Sequence, residues 1–434
     1  MKPVRISILV VLVGVIGFLT FDVFKREQEK RRLKESLVEL SDIKYGMFNV
    51  DSWTEVLANV IAKKVQQFDL TPENRGELKK RVSAFLYTTL SDFEDRFYEG
   101  NRGLGGFFRN SVASITDIFG EMKDNVPIFT DDIVAFLDDP ANKEELRTYV
   151  LAQLNAYAGE TFSEMDYSMR DDILAIHGYP SGEEAIAGLK SEIKALDDQN
   201  TNTRNFLYLT ILGMGLALLF AKALNVTELS LLTLLSFILL FGGLSLPMID
   251  IDARISEMSF SLLGESISFS DQVLYFKSKS ILEIVQIMLA QGKADVLAVG
   301  LLVLLFSVLF PLLKLICSCL YLYARSLRDN GFIKFMIFKT GKWSMADVMV
   351  IAIFMAYIGF SGILNEQLNH LGGLSNSVEM LTTNQTELQT GFFLFTAFVV
   401  MSLLIAHKMQ YQFKTSESPA TKKDHQENPD GHPN

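Results

Sequence analysis

One lysine stands where charge is expensive. Lys314 is the sole charged residue between Val296 and Tyr323, an apolar run that at about 1.5 Å per residue is long enough to cross a bilayer. A lysine at that depth costs roughly 2.5–3.5 kcal/mol on insertion scales, so an intramembrane ammonium is read first as a functional group. It could neutralise a lipid phosphate or carry a proton. The matching acid is Asp347, one helical turn past Trp343 in Gly341-Lys342-Trp343-Ser344-Met345-Ala346-Asp347-Val348. Tryptophan favours the headgroup level, which sets Asp347 shallow but inside. A paired Lys314 and Asp347 would offset each other's desolvation, and a passing phosphate or a proton gradient would alter their protonation. A static pair that only fixes helix packing is the alternative reading of the same residues.

The lysine has polar company. Gly300, Ser307, Pro311, Lys314, Ser318 and Tyr321 recur at spacings of three, four and seven, which puts them on one face of a helix. Leu301, Leu305, Leu309, Leu312 and Leu313 fall on the rest of the surface and can meet lipid. Pro311 has no N–H, so the Ser307 carbonyl loses its usual partner. A freed carbonyl at membrane depth is tolerated where protein or water covers it, so this face is expected to line a packed interior or a wet cavity. Ser307, Ser318 and Ser344 offer hydroxyls to a headgroup or to backbone. The candidate lipid or proton pathway is therefore Ser307, Pro311, Lys314, Ser318, Ser344 and Asp347. The bland alternative is that Lys314 snorkels to the surface beside Arg325, but eleven residues are roughly 16 Å of helix, too far for a lysine stem.

The elements that position these residues follow from the block structure of the chain. Mean hydropathy is positive although 21% of residues are charged, so oily and polar segments are segregated. Six apolar runs qualify as spans: Ile6–Phe21, Phe206–Phe220, Leu229–Met248, Val296–Tyr323, Val348–Leu364 and Gly391–Ala406. The expected fold is a mostly α, polytopic membrane protein of about six spans, with an inserted helical extramembrane domain and a small outer-face β-hairpin. Its divisions are an N-terminal anchor (1–23), a helical domain (24–204), a second span and turn (205–228), a four-helix membrane domain (229–408) and a disordered tail (409–434). The net charge of −11 argues against nucleic acid. Cys317 and Cys319, two residues apart in one span, form neither a plausible mutual disulfide nor a zinc pattern. No cofactor or metal is expected, and no nucleophile, base and oxyanion donor group together as an enzyme needs.

In chain order, Met1–Arg5 leads into an uncleaved anchor, since Asp22 and the Lys25–Lys34 cluster follow without a small-residue cleavage site. The acidic helical block has starts at Ser52 with Glu55, Ser181 with Glu184, Thr71-Pro72 and Asp139-Pro140. Asn101–Gly106 is a flexible break without the preceding strand that a nucleotide loop requires. The carboxylate pairs Asp131-Asp132, Asp138-Asp139 and Asp171-Asp172 suit helix starts and exposed faces. Ser259–Leu262 and Ser266–Phe269 alternate about Gly264, a hairpin signal. Ser280–Leu289 reads as an amphipathic helix on the membrane face, Asn365–Gln389 as a polar loop, and Ser416–Asn434 as disordered. Thr390, Thr396 and Ser402 are expected to bond their own helix backbone. Basic residues in 325–342 and at Lys408 and Lys414, against none in 365–389, place both termini inside and residues 24–204 outside. The Lys25–Lys34 cluster opposes that orientation.

Tyr275-Phe276-Lys277-Ser278-Lys279-Ser280, Phe306-Ser307-Val308-Leu309-Phe310-Pro311-Leu312-Leu313-Lys314 and Lys342-Trp343-Ser344-Met345-Ala346-Asp347-Val348 together resemble the membrane module of the paraquat-inducible protein A family, which includes the LetA-type lipid-transport proteins. The resemblance covers roughly Leu229 to Lys408. It implies a four-helix transmembrane domain in a bacterial inner membrane, working beside an MCE-domain protein whose tunnel carries lipid across the periplasm; residues 24–204 would then be periplasmic. Many relatives carry two copies of the module and Cys-x-x-Cys zinc ribbons, whereas this chain has one copy and no ribbon. Self-association could supply the second copy.

Two function classes follow. An inner-membrane lipid-transport component, with membrane phospholipid and an MCE-type partner, predicts an amphiphile-sized cavity reaching the bilayer near Lys314. A membrane scaffold or envelope-stress sensor predicts a tight bundle whose outer domain holds a partner. A small-solute transporter would need more buried charge and inverted repeats.

Overall fold

A computed structural model describes residues 2–46, 49–67, 75–101, 120, 122–137, 142, 144–161, 166–221, 224–262, 265–324, 330–339, 346–372 and 378–417. The described residues are mostly helical, with one small antiparallel sheet among them. Among the described residues, five helices are long and apolar enough to cross a membrane: those that include Val4–Leu40, Gly182–Phe220, Val226–Ser245, Ala294–Tyr323 and Thr390–Tyr411. The sixth expected span is the shorter apolar stretch Val348–Ile363, inside the helix Ala346–Gly372.

The first helix, α1 (Lys2–Leu40), does not stop at the membrane. Lys25 to Glu39 contains neither glycine nor proline, so helix propagation continues through the charged segment. Helices α2 (Val50–Val65), α3 (Arg75–Asn101), α4 (Val126–Phe136) and α5 (Leu146–Thr161) form the extramembrane domain. After α6 (Ser168–His177), α7 (Gly182–Phe220) returns along α1. Each of α1 and α7 has 39 residues, about 58 Å of helix, nearly twice a hydrocarbon core. The divisions expected at 23/24 and 204/205 therefore fall inside continuous helices. Outside the apolar part, Leu33, Leu37 and Leu40 pack on Ala185 and Leu189, making an antiparallel stalk.

Beyond α8 (Val226–Ser245) the chain turns into β1 (Ile249–Leu262) and β2 (Glu265–Lys279), which pair antiparallel from Ile249↔Lys279 to Leu262↔Glu265. The expected hairpin is thus the tip of a much longer ribbon, on the order of 46 Å in β1 alone. Its Ala253, Ile255, Met258 and Ile267 enter the core of the extramembrane domain beside Trp53, Leu57, Val82, Ile133 and Leu146. The other edge of β1 is covered by β3 (Val378–Asn384), and β4 (Glu387–Leu388) pairs with Ile249 and Asp250. The polar loop expected over 365–389 is thereby corrected: α13, introduced below, runs to Gly372, and two strands follow. Their formation depends on the β1 edge, a partner more than a hundred residues away.

Then come α9 (Ile281–Ala290), α10 (Ala294–Val303), a π-helical turn (Leu304–Leu309), α11 (Phe310–Tyr323), α12 (Gly331–Lys334), a second π turn (Phe335–Lys339), α13 (Ala346–Gly372) and α14 (Thr390–Glu417). The amphipathic helix expected at 280–289 is α9, closed by a capping box of Ser280 and Glu283. Ser181 caps α7 as expected, but α2 begins at Val50, so Ser52 lies inside it. The expected disordered segment begins too early at 409, because α14 continues to Glu417. Thr71-Pro72, Asp139-Pro140, Gly103–Gly106 and residues 418–434 lie outside the described residues.

Where the stalk meets the membrane, the basic cluster that opposed the expected orientation is taken up by carboxylates. Lys30 pairs with Asp197, Lys34 Nζ lies 2.8 Å from Asp250 Oδ2, and Arg31 bonds Glu283 at 2.5 Å and Glu35 at 3.0 Å. Glu27, buried, accepts from Asn200 at 2.7 Å and lies 3.7 Å from Arg204. These contacts tie α1 to α7, β1 and α9. Burial pushes the Glu283 carboxyl up, but the Ser280 amide and Arg31 outweigh it and hold it below its ordinary value. That contribution is present above the unfolded carboxyl range and lost as pH falls through the lowered folded value.

In the membrane, α8 and α14 approach through glycine. A Cβ on Gly243 would lie 2.7 Å from the Phe395 amide nitrogen, a contact with backbone that cannot yield. We expect Gly243→Ala to cost about 1–3 kcal/mol, read as a lowered unfolding midpoint in detergent micelles. Gly213→Ala, with open space around its Cβ, should be neutral or stabilising by up to ~1 kcal/mol.

Candidate functional site: a buried polar face and a charged junction

The helix running from Ala294 through Tyr323 turns its polar stripe inward. Gly300, Ser307, Pro311, Lys314, Ser318 and Tyr321 are all buried, while Leu301, Leu309, Leu312 and Leu313 are exposed. Leu305 is half-buried. Pro311 explains the irregularity that precedes it. Without a proline N–H the regular ladder cannot close, and the turn before it widens so that the Phe310 amide donates to the Leu305 carbonyl, five residues back. Such π turns alter which side chains share a face and are frequent at functional sites. Ser307 lies within this one, 2% exposed.

Lys314 is 5% exposed. Its stem and ammonium are enclosed by protein, so snorkelling to the surface does not describe it. Helix α11 packs on α8 and on the second π turn, Phe335–Lys339. Ser318 Oγ donates to the Lys314 carbonyl at 2.8 Å, which ties one candidate hydroxyl to its own backbone. Gly300 has a packing role: a Cβ there would meet Met288 Cβ at 2.9 Å, so the glycine lets α9 lie against α10. Asp347 lies in the first turn of α13, but its side chain and all of Ser344 lie outside the described residues. Lys314, Ser307, Pro311 and Ser318 are thus brought to one buried face, and the expected approach of Asp347 falls outside what is described.

Residues 275–370 match the family model of paraquat-inducible protein A. The matched stretch runs from the end of β2 through α9, α10, α11 and most of α13, and contains every candidate residue named from the sequence. No curated protein and no solved structure matches the chain. The stalk, the extramembrane domain and α14 lie outside the matched residues.

A second polar region, at the membrane end of the stalk, escaped the sequence reading. A cavity of about 260 Å³ lies between α1, α7, β4 and the start of α14, lined by Lys30, Asp197, Arg204, Tyr208, Glu387 and Thr390 among others. Thr390 is 2% exposed, and its Oγ1 and the buried Tyr208 hydroxyl face one another with no hydrogen bond to any other described residue. Thr396, by contrast, donates to the Phe392 carbonyl at 2.8 Å, as expected of a helix threonine. Leaving a buried hydroxyl unsatisfied costs roughly 1–3 kcal/mol. The sequence signal for Thr390 was its position: as the first residue of α14 it has no preceding helical carbonyl to bond.

Burial of Lys314 has a direct chemical readout. Amine-reactive footprinting in native membranes should modify the exposed Lys293 and leave Lys314 unmodified until the protein is denatured. Equal labelling of both under native conditions would place the Lys314 ammonium in water.

Proposed function

We propose that this protein is an inner-membrane component of a lipid transport system, moving phospholipid between the bacterial inner and outer membranes with an MCE-type tunnel protein as partner. The carrying observation is the enclosed Lys314 ammonium beside Ser307 and Pro311, within the residues that match paraquat-inducible protein A. An ammonium inside a bundle is retained against a standing energetic cost, and a lipid phosphate is an anion that arrives in the same medium. The irregular backbone at Leu304–Leu309 gives this face a place where helix geometry can adjust as a headgroup passes.

In this reading residues 24–204 are periplasmic. The stalk and ribbon hold α2 to α5 away from the bilayer, a position suited to receiving the mouth of a tunnel protein. A scaffold or sensor would use the same domain to hold a partner, without any lipid at Lys314. The chain carries out no covalent chemistry in either case.

The two readings separate on bound lipid. Mass spectrometry of lipid copurifying with the wild type and with Lys314→Ala should show retained phospholipid falling several-fold in the variant and recovering in Lys314→Arg, which keeps the charge. Equal, unselective lipid in all three would remove the lipid site and leave the scaffold.

A further inference from the structure

The cavity at the membrane end of the stalk continues into an apolar groove. Tyr208 and Phe393 line both. The groove, about 380 Å³, runs down the joint face of α7 and α14, past Ile211, Gly215, Val400 and Met401 to Leu219 and Leu404. From Tyr208 to Leu219 it extends about 17 Å, little more than half of a ~30 Å hydrocarbon core. Near its far end Lys408 donates to the Leu219 and Ala221 carbonyls at 3.1 and 2.6 Å. A polar chamber joined to an apolar slot one leaflet deep, between two membrane helices, has the shape of an amphiphile.

The charges say which kind. Lys30 and Arg204 oppose Asp197 and Glu387 around the chamber, so the lining is balanced in sign and suits a dipolar headgroup better than a net anion. Lys30 is committed to Asp197, whereas Arg204 reaches Asp197 and Glu27 at 3.8 and 3.7 Å and donates one long bond, 3.4 Å, to Thr201 Oγ1; of its five N–H donors, others remain for a phosphate. The Tyr208 and Thr390 hydroxyls face one another across the chamber, and neither makes a hydrogen bond to any other described residue. Each hydroxyl has hydrogen-bonding capacity beyond the other, as an O–H donates once and accepts twice.

We propose that α7 and α14 bind one zwitterionic phospholipid with a primary-amine headgroup: its phosphate against Arg204 and the two hydroxyls, its ammonium toward Glu387 and Asp197, and one acyl chain in the groove over Gly215. This site uses no residue of the matched stretch 275–370 and does not depend on lipid passing Lys314. It gives the protein a lipid at the point where the stalk enters the bilayer.

The site is tested by native mass spectrometry of the full chain released from nanodiscs containing equal phosphatidylethanolamine and phosphatidylglycerol. The wild type should retain a single phosphatidylethanolamine in preference to phosphatidylglycerol. Gly215 has only Met401 Sδ near its Cβ position, at 3.9 Å, so Gly215→Leu fills the groove and should lower that retention about tenfold. Tyr208→Phe combined with Thr390→Val removes both facing hydroxyls together, so neither is left behind without the other, and should lower it about as much. Lys314→Ala should leave it unchanged. Retention of the two lipids in their bulk ratio, preference for phosphatidylglycerol, or equal retention by wild type and both groove variants would each overturn the proposal. So would equal thermal stabilisation by soluble phosphoethanolamine, which would show an ion site with no role for the groove.

Discussion

An ionised group next to hydrocarbon has to be compensated, and the architecture of this protein follows from how that requirement is met. At the stalk, α1 carries Glu27, Lys30, Arg31 and Lys34 out of the membrane on successive turns, too close to lipid to be left to water alone. Their partners come from three separate elements: Asp197, Asn200 and Arg204 on α7, Asp250 on β1, and Glu283 on α9. Satisfying one short run of charge thereby fixes the antiparallel pairing of the long helices, the root of the ribbon and the seat of the amphipathic helix. Removing one partner would strand a poorly solvated charge, which is why such knots act together rather than as independent pairs.

The same requirement operates deeper, with a different solution. Lys314 is covered by protein on a face that also holds Ser307, Pro311 and Ser318. Between the two regions run α9, held to the stalk by Arg31 and Glu283, and α10, on which Gly300 allows α9 to rest. A physical connection therefore links the extramembrane domain, through ribbon and α9, to the helix that bears Lys314. Any partner that tilts the domain acts on the same elements that pack against the candidate site.

What could be read from residues alone was what one element determines for itself. Spacings of three, four and seven over Gly300–Tyr321 identified the buried stripe of a single helix, and Ser181 announced a helix start through Glu184 three residues on. Features set by partners distant in sequence were hidden. The strands at 378–384 and 387–388 exist because β1 presents an edge, and Val378–Asn384 lacks a strong alternation of its own. The apolar run Ile6–Phe21 gave no sign that α1 would continue to Leu40, since the boundary of a hydrophobic segment is not the boundary of a helix. The basic cluster after it looked like a topological anomaly only because its carboxylate partners lie as much as 252 residues away. Thr390 was likewise read as an ordinary helix threonine, although at the first position of α14 it has no carbonyl of its own helix to bond.

The central claim is that an enclosed ammonium in the membrane receives lipid. A high-resolution structure in phospholipid nanodiscs tests it directly, through density at the face formed by Ser307, Pro311, Lys314 and Ser318. The account predicts a lipid headgroup there, with a phosphate oxygen within about 3 Å of Lys314 Nζ. A seam filled only by protein side chains, with all lipid confined to the outer surface of the bundle, would contradict it.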